Sequence, residues 1–364
     1  MRPALLLAVA ACAPDPKPGG RAGSLQRGLS TLVARDPRVP GALLDVAADG
    51  VAFTGAAGAL SLDRGARALQ PDDLFRVASV TKTFVAVAAL RAQEDGLLRL
   101  DDPISALLSS GSLRALEGGG YDPDAIQLRM LLAHTAGIYD YTESAAFYAV
   151  IADDPEHRWT RAEQLQLAMD EGRALHAPGE DYRYGDTHYI LAAEALERAT
   201  GLGLADALRA GWAPLELPDT FLESLEPAPE GADARLSHPY FGRDDTRGWD
   251  PSWDLYGGGG LVSSTADLRR FFVALFGGEL LGEAAMDELL TVPAVAEGAF
   301  YGIDGALGLG RFPLQGDGDC YGGYGLFSTE VVHCPGLGAT WAGTQNQSNP
   351  RAPGGLTRLA LGAL

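Results

Sequence analysis

Strand-like and helix-like segments are not interleaved in this 364-residue chain. Helical periodicity dominates from about residue 75 to 290, and strand patterns lie on either side of it. "GALLDVAADGVAFTGAAG" (41–58) reads as two short strands around Ala48-Asp49-Gly50, an antiparallel hairpin. After about residue 300, "LGLGRFPL", "LFSTEVVH", "ATWAGTQNQ" and "GLTRLALGAL" read as strands with glycine-rich turns. In between, apolar residues recur at helical spacing in 80–95, "AIQLRMLLAHT", "RAEQLQLAMD", "HYILAAEALERAT" and "TADLRRFFVALFG". One further helix is expected near the start, in "SLQRGLSTLVARD" (24–36). This order predicts an α+β fold. Both chain ends build one antiparallel sheet domain (24–74 and 291–364), and a mostly helical domain (75–290) is inserted between them. A site is expected in the cleft where the two parts meet.

Composition narrows the function. Forty-eight acidic residues against 28 basic ones give a net charge of -20. A nucleic-acid partner is excluded on that ground, because phosphate backbones require a basic face. The first residues, "MRPALLLAVAACAPDPKPGG", place one arginine before an apolar run too short to span a bilayer. Residues 1–12 read as a secretory signal, and "VAAC" resembles a lipoprotein cleavage site with Cys12 as the lipidated residue. Residues 13–23 would then be a flexible tether, making the protein an exported, monomeric bacterial envelope lipoprotein that meets the membrane only through its anchor. Cys320 and Cys334 remain. In an oxidising compartment they are able to pair, although two free thiols satisfy the spacing equally well.

The chain has 26 arginines and two lysines, Lys17 and Lys82. Lys82 sits inside "SVTKTFVAVAAL", a helix apolar almost all round and therefore buried. A buried ammonium is costly unless it has partners or a task. Desolvation lowers a lysine pKa and lets the amine act as a base, which arginine does not do. Ser79 precedes Lys82 by three residues at the helix N-terminus, within reach of that base. The helix N-terminus adds N–H groups where an acyl oxyanion would form. Taken alone, Ser-x-x-Lys also fits an N-cap serine followed by a surface lysine.

Three further blocks follow in order: "LLAHTAGI", "HAPGEDYRYGDTHYILAAEALERATG" and "GGGGLVSSTADLRRF". With "PDDLFRVASVTKTF" they make the chain resemble the serine β-lactamase and penicillin-binding-protein superfamily. Within it, the likeness is to class C β-lactamases, D-alanyl-D-alanine carboxypeptidases and related esterases, over roughly residues 25–364. The resemblance implies Ser79 as nucleophile and Lys82 as base. Tyr184, from the Tyr-x-Asn element, would share proton transfer. Asp186 stands where that element has asparagine. A carboxylate has no amide N–H to donate to a substrate, and Asp186 also suits the N-cap of the helix beginning near His188. The third element, Lys-Thr-Gly or His-x-Gly on a strand, is best matched by His333, with Gly336 supplying the second oxyanion N–H. Pro335 lies between them and departs from the pattern. His134, in "LLAHTAGI", reads as structural. Many relatives continue into a C-terminal helix that covers the sheet, whereas this chain is read as ending on a strand, which leaves one sheet face either less protected or covered by another part of the chain.

The resemblance implies an acyl-enzyme serine hydrolase acting on a cell-wall D-alanyl peptide, a β-lactam or another ester or amide, without cofactor. A non-catalytic penicillin-binding-like protein with a degraded third motif is the alternative. No metal is expected, because the histidines lack ligand spacing and His-Glu-x-x-His is absent. Gly-x-Ser-x-Gly and Walker-type phosphate loops are also absent.

Overall fold

The computed structural model describes residues 20–364 except 214, 301 and 315. The signal, lipobox and Cys12 readings fall outside the described residues, as does most of the tether.

The chain ends do meet in one sheet. Strands β1 (Gly41–Ala48) and β2 (Val51–Gly58) form the expected hairpin, in register from Gly41↔Gly58 to Ala48↔Val51. Five strands follow late in the chain: β3 (Asp304–Gly305), β4 (Gly310–Leu314), β5 (Gly318–Gly325), β6 (Thr329–Cys334) and β7 (Ala339–Thr344). The antiparallel order is β2-β1-β7-β6-β5-β4-β3. The β1–β7 pairing, Leu43↔Thr344 to Ala47↔Thr340, is the seam between the two chain ends.

Helix α1 (Arg21–Arg35) covers one face of the sheet. Its Leu25, Leu29 and Leu32 recur at helical spacing and are buried against Val46, Phe53 and Trp341. The last segment, read as a strand, is in fact a helix, Gly355–Leu361, beside α1. Leu356 and Ala360 lie one turn apart and are the buried pair, so the true period is four and not two. Trp341 Nε1 donates to Thr357 Oγ1 on this helix (3.0 Å). This face of the sheet is therefore covered by α1 and the last helix together.

The opposite face is covered partly by a helix from within the inserted stretch, Thr265–Phe276, which packs on β1, β6 and β7. Its Arg269 forms an ion pair with buried Asp45 on β1 (2.5 Å). The two parts thus interlock more than a boundary at residue 290 implies. Helix α2 (Thr81–Glu94) runs through the centre of the molecule, buried from Thr81 to Leu90. Burying Phe84, Val85, Val87 and Leu90 stabilises it by about 1.5–3 kcal/mol per side chain. It packs against α3 (Asp186–Thr200) and the helix Leu204–Trp212, where Phe84 meets Trp212 edge-on. Cys320 and Cys334 are bonded between β5 and β6, with Cα atoms 4.2 Å apart. Among the described residues no helix is long and apolar enough to cross a membrane.

Candidate active site

Ser79 lies in a single 3-10 turn, Ala78–Val80, that leads directly into α2. A short three-stranded sheet fixes the entry: Leu261–Ser263 lies between Phe75–Arg76 and Phe221–Leu222. Val77 N donates to Leu261 O (2.9 Å), and Leu261 N donates to Thr81 Oγ1 (3.2 Å). The turn carries strain, since Ala78 has φ +48°, a region costly for a residue with a Cβ. Strand β5 passes tightly beside it. A Cβ on Gly325 would stand 2.2 Å from Val77 O, so only glycine lets the strand come this close.

Lys82, 2% exposed, points back one turn toward Ser79. Its Nζ donates to Ser79 Oγ (2.9 Å), Asp186 Oδ1 (2.5 Å) and Gly258 O (2.6 Å). The Gly258 carbonyl is aimed by the glycine run 257–260, in which Gly257 adopts φ +108° against Tyr189. Burial pulls the Lys82 ammonium down, but the Asp186 carboxylate, with Tyr184, outweighs it and holds the pKa above the ordinary value.

Tyr184 places its ring 4.9 Å from Lys82 Nζ, with its hydroxyl toward both Lys82 and Ser79. Burial pushes the phenol up to about 12, against the pull of Lys82. Asp186 is the first residue of α3 and caps nothing: its side chain is committed to Lys82. The cap comes instead from Asp140, whose Oδ1 accepts from Thr187 N (3.3 Å) and lies within 3.4 Å of Thr187 Oγ1. Burial and the neighbouring Asp186 raise Asp140 to about 6, and the same two causes raise Asp254 to about 7. The His134 ring lies tilted against Tyr184 (4.4 Å between rings), and its Nδ1 accepts from Gly185 N (3.3 Å). Burial holds both His134 and His188 well below the ordinary imidazole pKa, so they brace the tyrosine loop as neutral rings.

Ser79, Lys82, Tyr184 and Asp186 therefore come together. His333 and Gly336 do not. His333 is on β6, one strand further from the cleft, with Nδ1 2.8 Å from Thr340 Oγ1 and its ring stacked on Phe276 (4.5 Å). Desolvation lowers its pKa to about 4. Gly336 lies in the turn after β6, with its Cα facing Asp317 O. The strand beside Ser79 is β5, and Gly322, Gly323 and Tyr324 form the wall. The ladder to β4 ends at Gly322↔Gly310, which leaves the edge at Gly323–Tyr324 open to the cleft. Tyr321-Gly322-Gly323 thus occupies the place of the third element. Its signal was the glycine in third position; the histidine drew attention to the wrong strand.

Phe300, Tyr182 and Leu309 complete the lining of the half-open cleft. Lys82 is the one cationic side chain among its described lining residues. Asp63, His238 and Asp245 gather elsewhere at the surface, where His238 Nδ1 lies 2.7 Å from Asp245 Oδ2. None of the three lines the cleft.

A helical body and an antiparallel sheet that hold Ser-x-x-Lys and a tyrosine in a shared cleft define a serine-hydrolase fold. The chain belongs to the Beta-lactamase family, which it matches over residues 27–364. It is 26% identical to penicillin-binding protein 4* of Bacillus subtilis over 61% of this chain and 49% of that protein. It is 29% identical to esterase EstB of Burkholderia gladioli over 74% of this chain and 75% of the esterase. A D-stereospecific amidohydrolase from a Streptomyces species superposes with a TM-score of 0.78 at 28% identity, covering 93% of this chain and 97% of that one. The chain spans about half the length of the penicillin-binding protein it matches.

Proposed function

We propose that the chain is a serine hydrolase working through an acyl-enzyme. The observation that carries this reading is the 2.9 Å contact between Lys82 Nζ and Ser79 Oγ, buried beside Tyr184. Ser79 Oγ attacks an ester or amide carbonyl, and Lys82 takes its proton. Lys82 and Tyr184 return a proton to the leaving group, and water then releases the acyl group. The N–H of Ser79 and one from the open Gly323–Tyr324 edge hold the oxyanion. Every role falls to a side chain or backbone group of this chain.

The favoured substrate is an ester or amide without a carboxylate. The lining cation, Lys82, is already met by Asp186, and the other described lining residues carry no positive charge. A D-alanyl peptide or a penicillin brings a carboxylate to a wall whose one described cation is already paired. The likeness to an esterase and an amidohydrolase supports the same direction. Purified protein and Ser79→Ala are incubated with a chromogenic short-chain ester and a labelled penicillin. Turnover of the ester by the wild type, absent in the variant, is expected, with penicillin labelling weak. No turnover or labelling above the variant sinks the hydrolase reading in favour of a binding protein.

Export to the cell envelope is part of the proposal. The bonded cysteines support an oxidising compartment, and the lipobox-like "VAAC" supports anchoring at Cys12. Cys12→Ser is expected to release the protein from the membrane fraction; unchanged fractionation refutes the anchor.

A further inference from the structure

The resting ammonium of Lys82 has every proton committed. An ammonium carries three N–H bonds, and here they meet Ser79 Oγ, Gly258 O and Asp186 Oδ1. In this state Lys82 donates to Ser79 and has no lone pair with which to accept the serine proton. It must first give up a proton to one of its acceptors. A peptide carbonyl is too weak a base, and Ser79 is the group to be deprotonated. Tyr184, whose hydroxyl also faces Lys82, is a neutral phenol and takes no proton, so the carboxylate of Asp186 remains.

We infer that Asp186 is the proton store of this site: it takes a proton from Lys82 when Ser79 attacks and returns it when the leaving group departs. The inference rests on the acyl-enzyme reading above, and Asp186 acts through Lys82 without touching substrate. The balance is as follows. An N–H bond of Lys82 breaks and an O–H bond forms on Asp186, leaving a neutral amine and a neutral carboxyl. As Ser79 Oγ bonds to the carbonyl carbon, its proton moves to the Lys82 lone pair. Lys82, through Tyr184, then protonates the leaving group, and Asp186 gives its proton back to Lys82. The net change is one proton from Ser79 to the leaving group.

The surroundings suit this role. Lys82 and Asp186 are shielded, at 2% and 14% side-chain exposure, so exchanging a charged pair for a neutral one costs far less than in water. Asp140 faces Asp186 from the start of the 141–143 turn, and Asp254 faces it from the 251–254 turn; while ionised, both add negative potential that favours a proton on Asp186. Tyr184 and Tyr189 place their rings toward Lys82, Tyr141 and Tyr148 feel the Asp186 charge, and burial holds all four phenols neutral. His134 and His188 face Lys82 as uncharged rings. An asparagine at position 186, as in the family's pattern, has no proton affinity to offer, and its lysine would have to rest as the free amine.

The test is the pH profile of kcat/KM on the chromogenic ester for wild type, Asp186→Asn and Asp186→Glu, with thermal melts to verify folding. In wild type the acid limb is expected in the carboxylate range, with activity retained at pH 6. In Asp186→Asn the limb moves up into the lysine range, because activity then requires the free amine. Its kcat/KM at pH 6 falls by about 100-fold or more and recovers as the pH is raised toward 9. Asp186→Glu keeps the acid limb of wild type at lower kcat. Asp140 and Asp254 are present in all three proteins, and losing the Asp186 charge lowers their pKa values, so a limb that they set would move down in Asp186→Asn and not up. A purely structural Asp186 would lower activity without moving the limb, and that result overturns the inference. So does a wild-type limb already in the lysine range, or a gain of activity in Asp186→Asn at pH 6; the first needs no variant at all. Absence of any wild-type turnover strikes the hydrolase reading instead.

Discussion

Gly325→Ala tests whether the approach of β5 to the turn that carries Ser79 is required for chemistry. The added Cβ would lie 2.2 Å from Val77 O, a backbone atom, whereas ordinary contact begins at 3.4 Å. Strand and turn must therefore separate by the difference, roughly 1.2 Å. Neither side yields easily. Val77 is held by its hydrogen bond to Leu261 O, and Gly325 is paired with Thr329 in the β5–β6 ladder. Overpacking of this kind costs about 1–3 kcal/mol. The catalytic effect is larger, because the same movement carries the Gly323–Tyr324 edge away from Ser79. A misplacement of about 1 Å lowers rates about 100-fold. The assay is kcat/KM on the chromogenic ester together with a thermal melt, with Gly118→Ala as control, since nothing lies within 4 Å of a Cβ there. Gly325→Ala is expected to melt a few degrees lower and to lose about two orders of magnitude in kcat/KM, while the control keeps full activity. Activity within threefold of wild type would refute the claim that β5 supplies part of the site.

Lys82→Arg is expected to abolish ester turnover, falling at least 100-fold at every pH from 6 to 9, because a guanidinium does not give up its proton in that range; a pH-dependent recovery would count against Lys82 as base. His333→Gln is expected to leave kcat/KM within about threefold of wild type, since the side chain is on β6 and outside the cleft. The same substitution affects acid stability with a definite sign. The folded-state pKa of His333 is depressed to about 4, so its neutral form favours folding above the unfolded pKa, and that contribution is lost as pH falls from about 6.5 toward 4. His333→Gln should therefore flatten the loss of melting temperature across that window; an unchanged slope contradicts it. Cys334→Ser is expected to destabilise by about 3 kcal/mol, as for a closed loop of this size, measured by denaturant titration against the oxidised wild type.

What the sequence made legible was local. Ser79 and Lys82 are one helical turn apart in the same chain segment, so their contact follows from helix geometry alone. The hairpin at 41–58 is local too, and the sheet built from both ends followed from the order of the patterns. What failed required knowing which distant segment comes near. Asp186 looked like an N-cap because an aspartate preceding a helix usually is one. The acceptor for that helix instead comes from Asp140, 46 residues earlier, which freed Asp186 for Lys82. The third element was misplaced by one strand. Neighbouring antiparallel strands β5 and β6 carry no mark of which one borders the cleft, and a histidine is a louder signal than two glycines. The C-terminal helix was missed because a segment of seven residues barely completes two turns.

The two departures from the family's pattern differ in what they do to charge. Asparagine is replaced by Asp186, whose carboxylate is balanced by the Lys82 ammonium it holds, so the pair adds no net charge to the cleft. The first position of the third element is taken by Tyr321, whose ring packs toward Phe276. Where the family's pattern has a lysine there, tyrosine removes a positive charge. At about 5 Å and an effective dielectric constant near 20, a unit charge is worth about 3 kcal/mol toward a substrate carboxylate, about 100-fold in binding, and nothing toward a neutral ester. Asp186→Asn is therefore expected to shift the pH limb while leaving the ratio of ester to carboxylate-bearing substrate within about threefold; a shift in both would refute this division between the two positions.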